Sequence, residues 1–140
     1  MKKLIYLFLT VLIVACSSDD SNDGSNVSIE GRWNYTSNTD EGQPAEISDC
    51  ELQNYLLVDS GLADYYFYLN EDEDENGNET DCFLYGTIEA SYVVDANNSN
   101  VYIFTFDDSG ESLVGTLSGN TLTFVEEYEE YNEITVFTRD

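Results

Sequence analysis

The chain has 140 residues, enough for one domain with short extensions but not for two full domains. It carries 29 Asp and Glu residues against 4 Lys and Arg, a formal charge of −25, which argues against nucleic acid as a partner. The absence of histidine excludes Ser-His-Asp catalysis and histidine-ligated metals, and 41% hydrophobic residues are too many for a disordered acidic chain.

The first 15 residues predict an export signal. Lys2 and Lys3 precede about a dozen mostly apolar residues at positions 4–15. A helix that crosses a bilayer needs roughly 20 such residues, whereas the apolar part of a signal peptide needs about 7–15. We therefore assign residues 1–15 to a signal peptide.

The signal ends in Ile-Val-Ala-Cys at residues 13–16, which resembles the bacterial lipobox. That resemblance implies cleavage before Cys16 and acylation of Cys16 with palmitate-type chains, which would anchor the protein to a lipid bilayer. The residues that follow are polar, so we predict a flexible acidic tether over residues 16–29.

The Cys-Ser-Ser-Asp-Asp sequence at residues 16–20 also resembles the acidic export signal of Bacteroidota lipoproteins. The resemblance implies an outer-membrane location, on the periplasmic or the cell-surface side. An ordinary solvated linker is the alternative interpretation of the same residues.

Two cysteines remain once Cys16 is assigned to lipid. Cys50 and Cys82 have only one pairing available, and an oxidising compartment favours their disulfide. Closing a loop of about 32 residues stabilises a fold by roughly 3–4 kcal/mol in the chain-entropy model.

From residue 30 onward, short apolar or alternating segments are separated by Gly, Asn, Asp and Ser, which is typical of strands and tight turns. Ser48 and Glu51 have the spacing of a capping box, which predicts a short helical turn. Gly119-Asn120 predicts a two-residue hairpin, and Gly86 predicts a bend within a strand. The predicted strands are residues 31–37, 55–58, 62–69, 83–94, 101–106, 111–118, 121–127 and 134–139.

Eight strands joined by tight turns, without helices for crossover connections, predict an antiparallel meander. Closure removes its two edges, so we predict an all-β, eight-stranded up-and-down barrel over residues 30–140. A barrel of this size is filled by side chains or holds one small ligand. The predicted inner face comprises Trp33, Tyr35, Leu56, Val58, Phe67, Ile88, Tyr92, Phe104, Leu113, Leu117, Leu122, Phe124 and Val136.

Gly31-Arg32-Trp33 on the first strand resembles the lipocalin Gly-x-Trp motif, and Arg139 resembles its partner arginine. The resemblance implies that Arg139 packs across Trp33 at the closed end of a barrel. Residues 30–139 as a whole resemble the lipocalin-like domain of Bacteroidota lipoproteins. They depart from the family in the long acidic loop at residues 70–81 and in lacking the long lipocalin helix. Further matching stretches are residues 48–50, 82, 113–124 and 137–139.

The acidic loop carries a candidate Ca²⁺ site. Its Asp-x-Asp-x-Asn-Gly pattern at residues 72–77 places oxygen ligands at alternate positions, and the candidate ligands are Asp72, Asp74, Asn76 and Asn78. Position twelve of that loop is Phe83 rather than a bidentate Glu. A solvated charged loop is therefore the alternative.

These features predict a protein that binds rather than catalyses, because no nucleophile and base are paired in the sequence. We expect a small apolar or amphipathic ligand in the barrel and no cofactor apart from Ca²⁺ at the acidic loop. An alternative is an interaction module whose acidic loops bind a basic protein or Ca²⁺. The candidate pocket residues are Trp33, Tyr35, Phe67, Tyr92, Phe104 and Phe124, which could equally form an ordinary aromatic core.

Overall fold

The computed structural model describes residues 27–70 and 81–140, which contain nine antiparallel strands and one 3₁₀ turn at Glu51–Gln53. Eight of the strands correspond to the eight predicted ones, with ends that differ by at most a few residues. The strands are β1 (Gly31–Asp40), β2 (Gln43–Pro44), β3 (Tyr55–Asp59), β4 (Leu62–Asn70), β5 (Cys82–Val94), β6 (Val101–Phe106), β7 (Ser112–Ser118), β8 (Thr121–Glu127) and β9 (Asn132–Thr138).

The sheet closes on itself. Each strand from β3 to β8 pairs with the next along the chain, β1 pairs with β3, and β9 pairs with β1. In that last ladder Asn34 lies opposite Thr138 and Tyr35 lies opposite Phe137. The predicted all-β, eight-stranded antiparallel barrel is confirmed, with β2 as a short addition that pairs only with β1.

Two tight hairpins show why these residues turn where they do. Ser60 and Gly61 between β3 and β4 both have positive φ, at 51° and 89°. This is the conformation of a type I′ hairpin, whose twist matches that of the flanking strands. Gly119 between β7 and β8 has φ 58°, so the predicted Gly119-Asn120 turn lies at the expected place.

The up-and-down order gives the barrel two distinct ends. The closed end contains the turns at 60–61, 95–100 and 119–120, together with the residues that precede β1. The open end contains residues 40–54, the turn at 107–111 and the turn at 128–131. The charged and apolar side chains are distributed unequally between these two ends.

Large side chains and the start of the domain seal the closed end. Trp33, Val58 and Leu122 are at most 1% exposed, and the Trp33 indole Nε1 donates a 2.7 Å hydrogen bond to the carbonyl of Ile29. Ile29 is itself only 3% exposed. The prediction that the tether reaches residue 29 therefore needs correction, because Ile29 packs in the core and closes this end of the barrel.

Arg139 completes the closed end. Its guanidinium lies 4.4 Å from the centroid of the Trp33 ring, and Nη1 donates a 3.1 Å hydrogen bond to the carbonyl of Glu30. A cation over the face of an indole stabilises by about 0.5–2 kcal/mol. The last strand is thereby fastened to the segment that precedes the first one.

One predicted inner-face residue faces outward. Val136 was expected inside, but the inward side chain is Phe137, which is 5% exposed and lies opposite Leu122 in the ladder. The face of β9 with Ile134 and Val136 is the more apolar one in the sequence, so alternation alone selects the wrong face. The ladder with β1 settles the register by placing Phe137 opposite Tyr35.

The predicted bend near Gly86 is a β-bulge. The register of β4 and β5 shifts between Phe67 and Tyr68, and Tyr85 is the extra residue. A Cβ atom at Gly86 would lie 3.0 Å from Cζ of Phe67, because the Phe67 ring covers the glycine. A side chain at Gly86 would therefore displace the Phe67 ring beside the bulge.

Candidate functional site

The barrel encloses a cavity of about 290 Å³. All of the barrel strands contribute to its wall, and nearly all of the contributing side chains are apolar. The cavity is lined by Tyr35, Asn38, Leu56, Ala63, Tyr65, Ile88, Ala90, Phe104, Phe106, Leu113, Phe124, Thr135 and Phe137.

Small residues create this space. Ala63 on β4 lies directly opposite Ala90 on β5, so neither strand sends a large side chain across the interior here. On the other side of the barrel, a Cβ atom at Gly115 would lie 2.9 Å from the Phe124 ring and 3.0 Å from the Phe104 ring. Both rings therefore lie against the β7 backbone instead of filling the centre.

The cavity communicates with solvent on the side of the open end. Ile88 lines it and is nevertheless 37% exposed, which an inward side chain can be only through an opening. On the opposite side Trp33 and Leu122 are completely buried and form a solid base. The barrel is thus half packed and half hollow, and a ligand would enter from the open end.

The polar atoms of the cavity lie together on its β1, β4 and β9 walls. The Thr135 hydroxyl donates a 3.1 Å hydrogen bond to Oδ1 of Asn38. The Tyr65 hydroxyl accepts a 3.0 Å hydrogen bond from Nδ2 of Asn54 and keeps its own proton for donation. Together with the Tyr35 hydroxyl, these groups can orient the polar part of a ligand whose apolar part points inward.

Both phenols of the cavity are neutral at physiological pH. Burial, together with smaller contributions from the neighbouring Tyr65 hydroxyl and Glu51 carboxylate, raises the pKa of Tyr35 to about 12. Burial also raises the pKa of Tyr65, although its hydrogen bond with Asn54 acts in the opposite direction. The cavity therefore offers hydroxyl groups rather than phenolate charges.

This shift predicts how stability responds to alkali. Below pH 10 the Tyr35 hydroxyl is protonated in both the folded and the unfolded chain, but between pH 10 and about 12 only the folded chain keeps the proton. The free energy of unfolding should therefore fall as the pH rises through this window. We expect Tyr35→Phe to flatten that fall in urea titrations at several pH values, with Tyr85→Phe as the control for loss of an exposed hydroxyl. An unchanged pH dependence in Tyr35→Phe would contradict the assignment.

The wall between β1 and β4 is completed by the segment before β3. Asn54 is 7% exposed; its Oδ1 accepts a 2.7 Å hydrogen bond from the Tyr68 amide and its carbonyl accepts one of 3.0 Å from the Tyr35 amide. Asn54 therefore joins β4 through its side chain and β1 through its backbone carbonyl, at a height where these two strands are not paired. Asn54 thereby closes the gap in the barrel wall between β1 and β4 near the open end, which β3 does not reach because it is only five residues long.

The same segment contains the predicted helical turn and the disulfide. The Glu51 carboxylate accepts a 2.8 Å hydrogen bond from the Ser48 amide, and the Ser48 hydroxyl accepts one of 3.2 Å from the Glu51 amide. This is the reciprocal geometry of a capping box. Cys50 forms a disulfide with Cys82 at the start of β5, with the two Cα atoms 5.4 Å apart.

The structure places the six predicted pocket residues in three regions. Tyr35, Phe104 and Phe124 line the cavity. Trp33 lies beneath it as part of the solid base, because its indole is held by Ile29 and Arg139. The barrel-closing pair of Trp33 and Arg139 is therefore brought together as the resemblance implied.

The other two predicted pocket residues do not line the cavity. Tyr92 lies toward the closed end, beside Tyr102 and the segment that precedes β1, because β5 runs past the cavity there. Phe67 lies toward the rim, where its ring covers Gly86.

Sequence reasoning missed several residues of the wall. Tyr65 was omitted because β4 is apolar or aromatic on both faces, so that alternation carries no signal there. Phe137 was omitted because alternation along β9 favours the face with Ile134 and Val136. Ala63 and Ala90 were omitted because a small residue does not indicate a cavity unless the residue opposite it on the neighbouring strand is known. The signal that could have found them is the pairing of two alanines in one ladder.

Two predicted sites, Cys16 and the Ca²⁺ candidates Asp72, Asp74, Asn76 and Asn78, lie outside the described residues. Within residues 27–70 and 81–140, no cluster of three or more acidic, Cys or His side chains is arranged to hold a metal. In the same part of the chain, no helix has the length and apolarity to span a membrane. Ca²⁺ or a basic protein at the acidic loops stays a prediction.

Comparison with known proteins supplies the family. No curated protein matches the chain. The family model for the lipocalin-like domain matches residues 29–124, which is more than half of the chain and extends from Ile29 at the closed end to Phe124 in the cavity wall. The closed eight-stranded barrel agrees with that match. The chain belongs to the lipocalin-like domain family.

Proposed function

We propose that this protein binds a small apolar or amphipathic molecule inside its barrel and performs no chemistry on it. The observation that carries the proposal is the cavity of about 290 Å³, which is apolar except for one cluster of hydroxyl and amide groups. Proteins of the lipocalin-like family are in general binding proteins, which supports the same conclusion.

The cavity volume limits the size of the ligand. An engineered apolar cavity of about 150 Å³ binds benzene, so a volume about twice as large suits roughly twelve non-hydrogen atoms. At about 0.5–0.7 kcal/mol per atom, such a ligand would bind with a free energy of about −6 to −8 kcal/mol, which corresponds to micromolar dissociation constants. Medium-chain alcohols and two-ring aromatic compounds are of this size.

The proposal is tested by filling the cavity. Ala90→Phe places a ring into the cavity, whereas Ser91→Phe places the same ring on the outside of the same strand, where Ser91 is exposed. With 2-naphthalenemethanol as the probe, we expect calorimetry to show micromolar binding to the wild type and to Ser91→Phe. Ala90→Phe should weaken binding at least tenfold.

Circular dichroism and the thermal midpoint establish that both variants are folded. Because the space at Ala90 is empty, the added ring should cost less than the 1–3 kcal/mol typical of overpacking a filled core. Equal affinity of a folded Ala90→Phe and the wild type would place the ligand elsewhere and refute the proposal.

We further propose that the protein is a lipoprotein of the Bacteroidota outer membrane, acylated at Cys16. The lipobox-like residues 13–16 and the acidic residues that follow support this proposal. Expression in a Bacteroidota host with an alkyne-labelled palmitate should label the wild type and not Cys16→Ala, and membrane fractionation should follow the label. Labelling of Cys16→Ala would contradict the assignment.

A further inference from the structure

We propose that the cavity selects organic ammonium ions, meaning protonated amines on an apolar or aromatic body, over carboxylates of the same shape. The inference rests on the proposed function and adds the charge of the ligand to it. It follows from the distribution of charge over the barrel and from the chemistry of the cavity wall.

Negative charge is concentrated around the opening of the cavity. The described segments of the open end carry many carboxylates and no Lys, Arg or His, and such a field raises the local concentration of cations and lowers that of anions. Glu51 lies close enough to the cavity to act on the Tyr35 and Tyr65 phenols. Ten Asp and Glu residues lie within the ranges 40–54, 107–111 and 128–131 that form this end.

The two arginines among the described residues both make their contacts away from the cavity. Arg139 lies over Trp33 at the closed end. Arg32 is exposed on the outer wall, with its guanidinium 3.7 Å from the centroid of the Tyr55 ring. Neither lines the cavity, so a buried carboxylate would find no counter-charge there, and the neutral phenol hydroxyls would replace only part of its hydration.

The cavity wall instead offers aromatic faces. Six of its residues are aromatic: Tyr35, Tyr65, Phe104, Phe106, Phe124 and Phe137. Their rings meet edge to face: the Phe124 and Phe137 centroids are 5.8 Å apart at 85°, and those of Tyr65 and Phe137 are 5.9 Å apart at 89°. Rings at right angles to each other present their faces to the cavity from different directions, and the faces of aromatic rings attract ammonium ions.

Aromatic rings also continue from the cavity to the rim. The Tyr65 and Phe67 centroids are 6.0 Å apart, and those of Phe67 and Tyr85 are 5.4 Å apart. Tyr85 is 62% exposed. This row runs along β4 and β5 toward the acidic open end, so an aromatic amine would meet stacking surfaces and negative charge on the same route.

Three ligands with one body test the selectivity: 2-naphthylmethylamine, 2-naphthalenemethanol and 2-naphthoate at neutral pH. Calorimetry at low salt should show the amine binding at least tenfold more tightly than the carboxylate, with the alcohol between them. High salt should narrow the difference, because it screens the acidic rim more than the aromatic contacts.

The possible outcomes separate this inference from the proposed function. If none of the three compounds binds, the proposed function fails and the inference fails with it. If the alcohol binds but the carboxylate binds as well as the amine, only the charge selectivity is refuted. If Ala90→Phe leaves amine binding unchanged, the amine is held by the acidic surface and the inference is also refuted.

A matched pair of variants identifies the source of the selectivity. Glu51→Gln keeps an acceptor for the capping box while it removes a carboxylate that acts on both phenols, and Glu30→Gln removes the same charge at the closed end. We expect Glu51→Gln to weaken binding of the amine severalfold and to leave binding of the alcohol unchanged. Glu30→Gln should change the affinity for neither compound. Equal weakening of amine and alcohol by Glu51→Gln would mean that Glu51 acts only on the fold.

Discussion

Replacing Trp33 by alanine is expected to lower the free energy of unfolding by about 4–5 kcal/mol. The side chain is completely buried, and truncation of a buried Trp typically costs 3–5 kcal/mol through the lost burial and the cavity that remains. The Ile29 carbonyl would lose its 2.7 Å hydrogen bond and Arg139 would lose the ring beneath its guanidinium. The segment that plugs the barrel would therefore loosen together with the last strand.

Denaturant unfolding followed by circular dichroism measures this effect, because the variant lacks the only tryptophan of the chain. Trp33→Phe is the matched control, since it keeps an aromatic face under Arg139 and loses the indole donor. We expect it to cost about 1–2 kcal/mol. A cost below about 1 kcal/mol for Trp33→Ala would show that the closed end is not the stabilising base described above.

Removal of the disulfide should have the next largest effect. The double variant Cys50→Ala, Cys82→Ala frees a loop of about 32 residues and is expected to lose roughly 3–4 kcal/mol of stability. For a domain of this size, the thermal midpoint should fall by roughly 15 °C. Cys50 is 2% exposed, so alanine is preferred to serine, which would bury an additional hydroxyl.

Reduction of the wild type provides the control for this prediction. A reductant should lower the midpoint of the wild type toward that of the double variant and should leave the double variant unchanged. A Cys16→Ser chain should respond like the wild type, since it retains Cys50 and Cys82. A wild-type midpoint that is insensitive to reduction, with Ellman titration showing free thiols, would contradict the expected contribution.

The two effects concern opposite ends of the barrel, and these two ends are stabilised in different ways. At the closed end, Trp33, Val58 and Leu122 are buried almost completely, which supplies stability. At the open end, interior packing is given up around Ala63 and Ala90, and the disulfide together with Asn54 holds the wall in place. A binding cavity can be maintained there because its frame does not depend on filling the interior.

Local patterns in the sequence determined most of the architecture. Turn residues such as Gly119-Asn120 mark hairpins because few other residues tolerate positive φ, and alternation of apolar residues marks the strands between them. Eight such strands without crossover helices leave closure as the way to pair both edges. The pairing of Cys50 with Cys82 was likewise available from counting cysteines.

The cavity was decided only by the tertiary structure. The strand β4 is apolar or aromatic on both faces, and the more apolar face of β9 is the outward one. The side chains that point inward therefore depend on cross-strand register, which local alternation does not contain. Register places Phe137 rather than Val136 inside, and it sets Ala63 opposite Ala90. Sequence therefore determined the barrel through local turn and strand chemistry, whereas the hollow inside it arises from contacts between residues far apart in the chain.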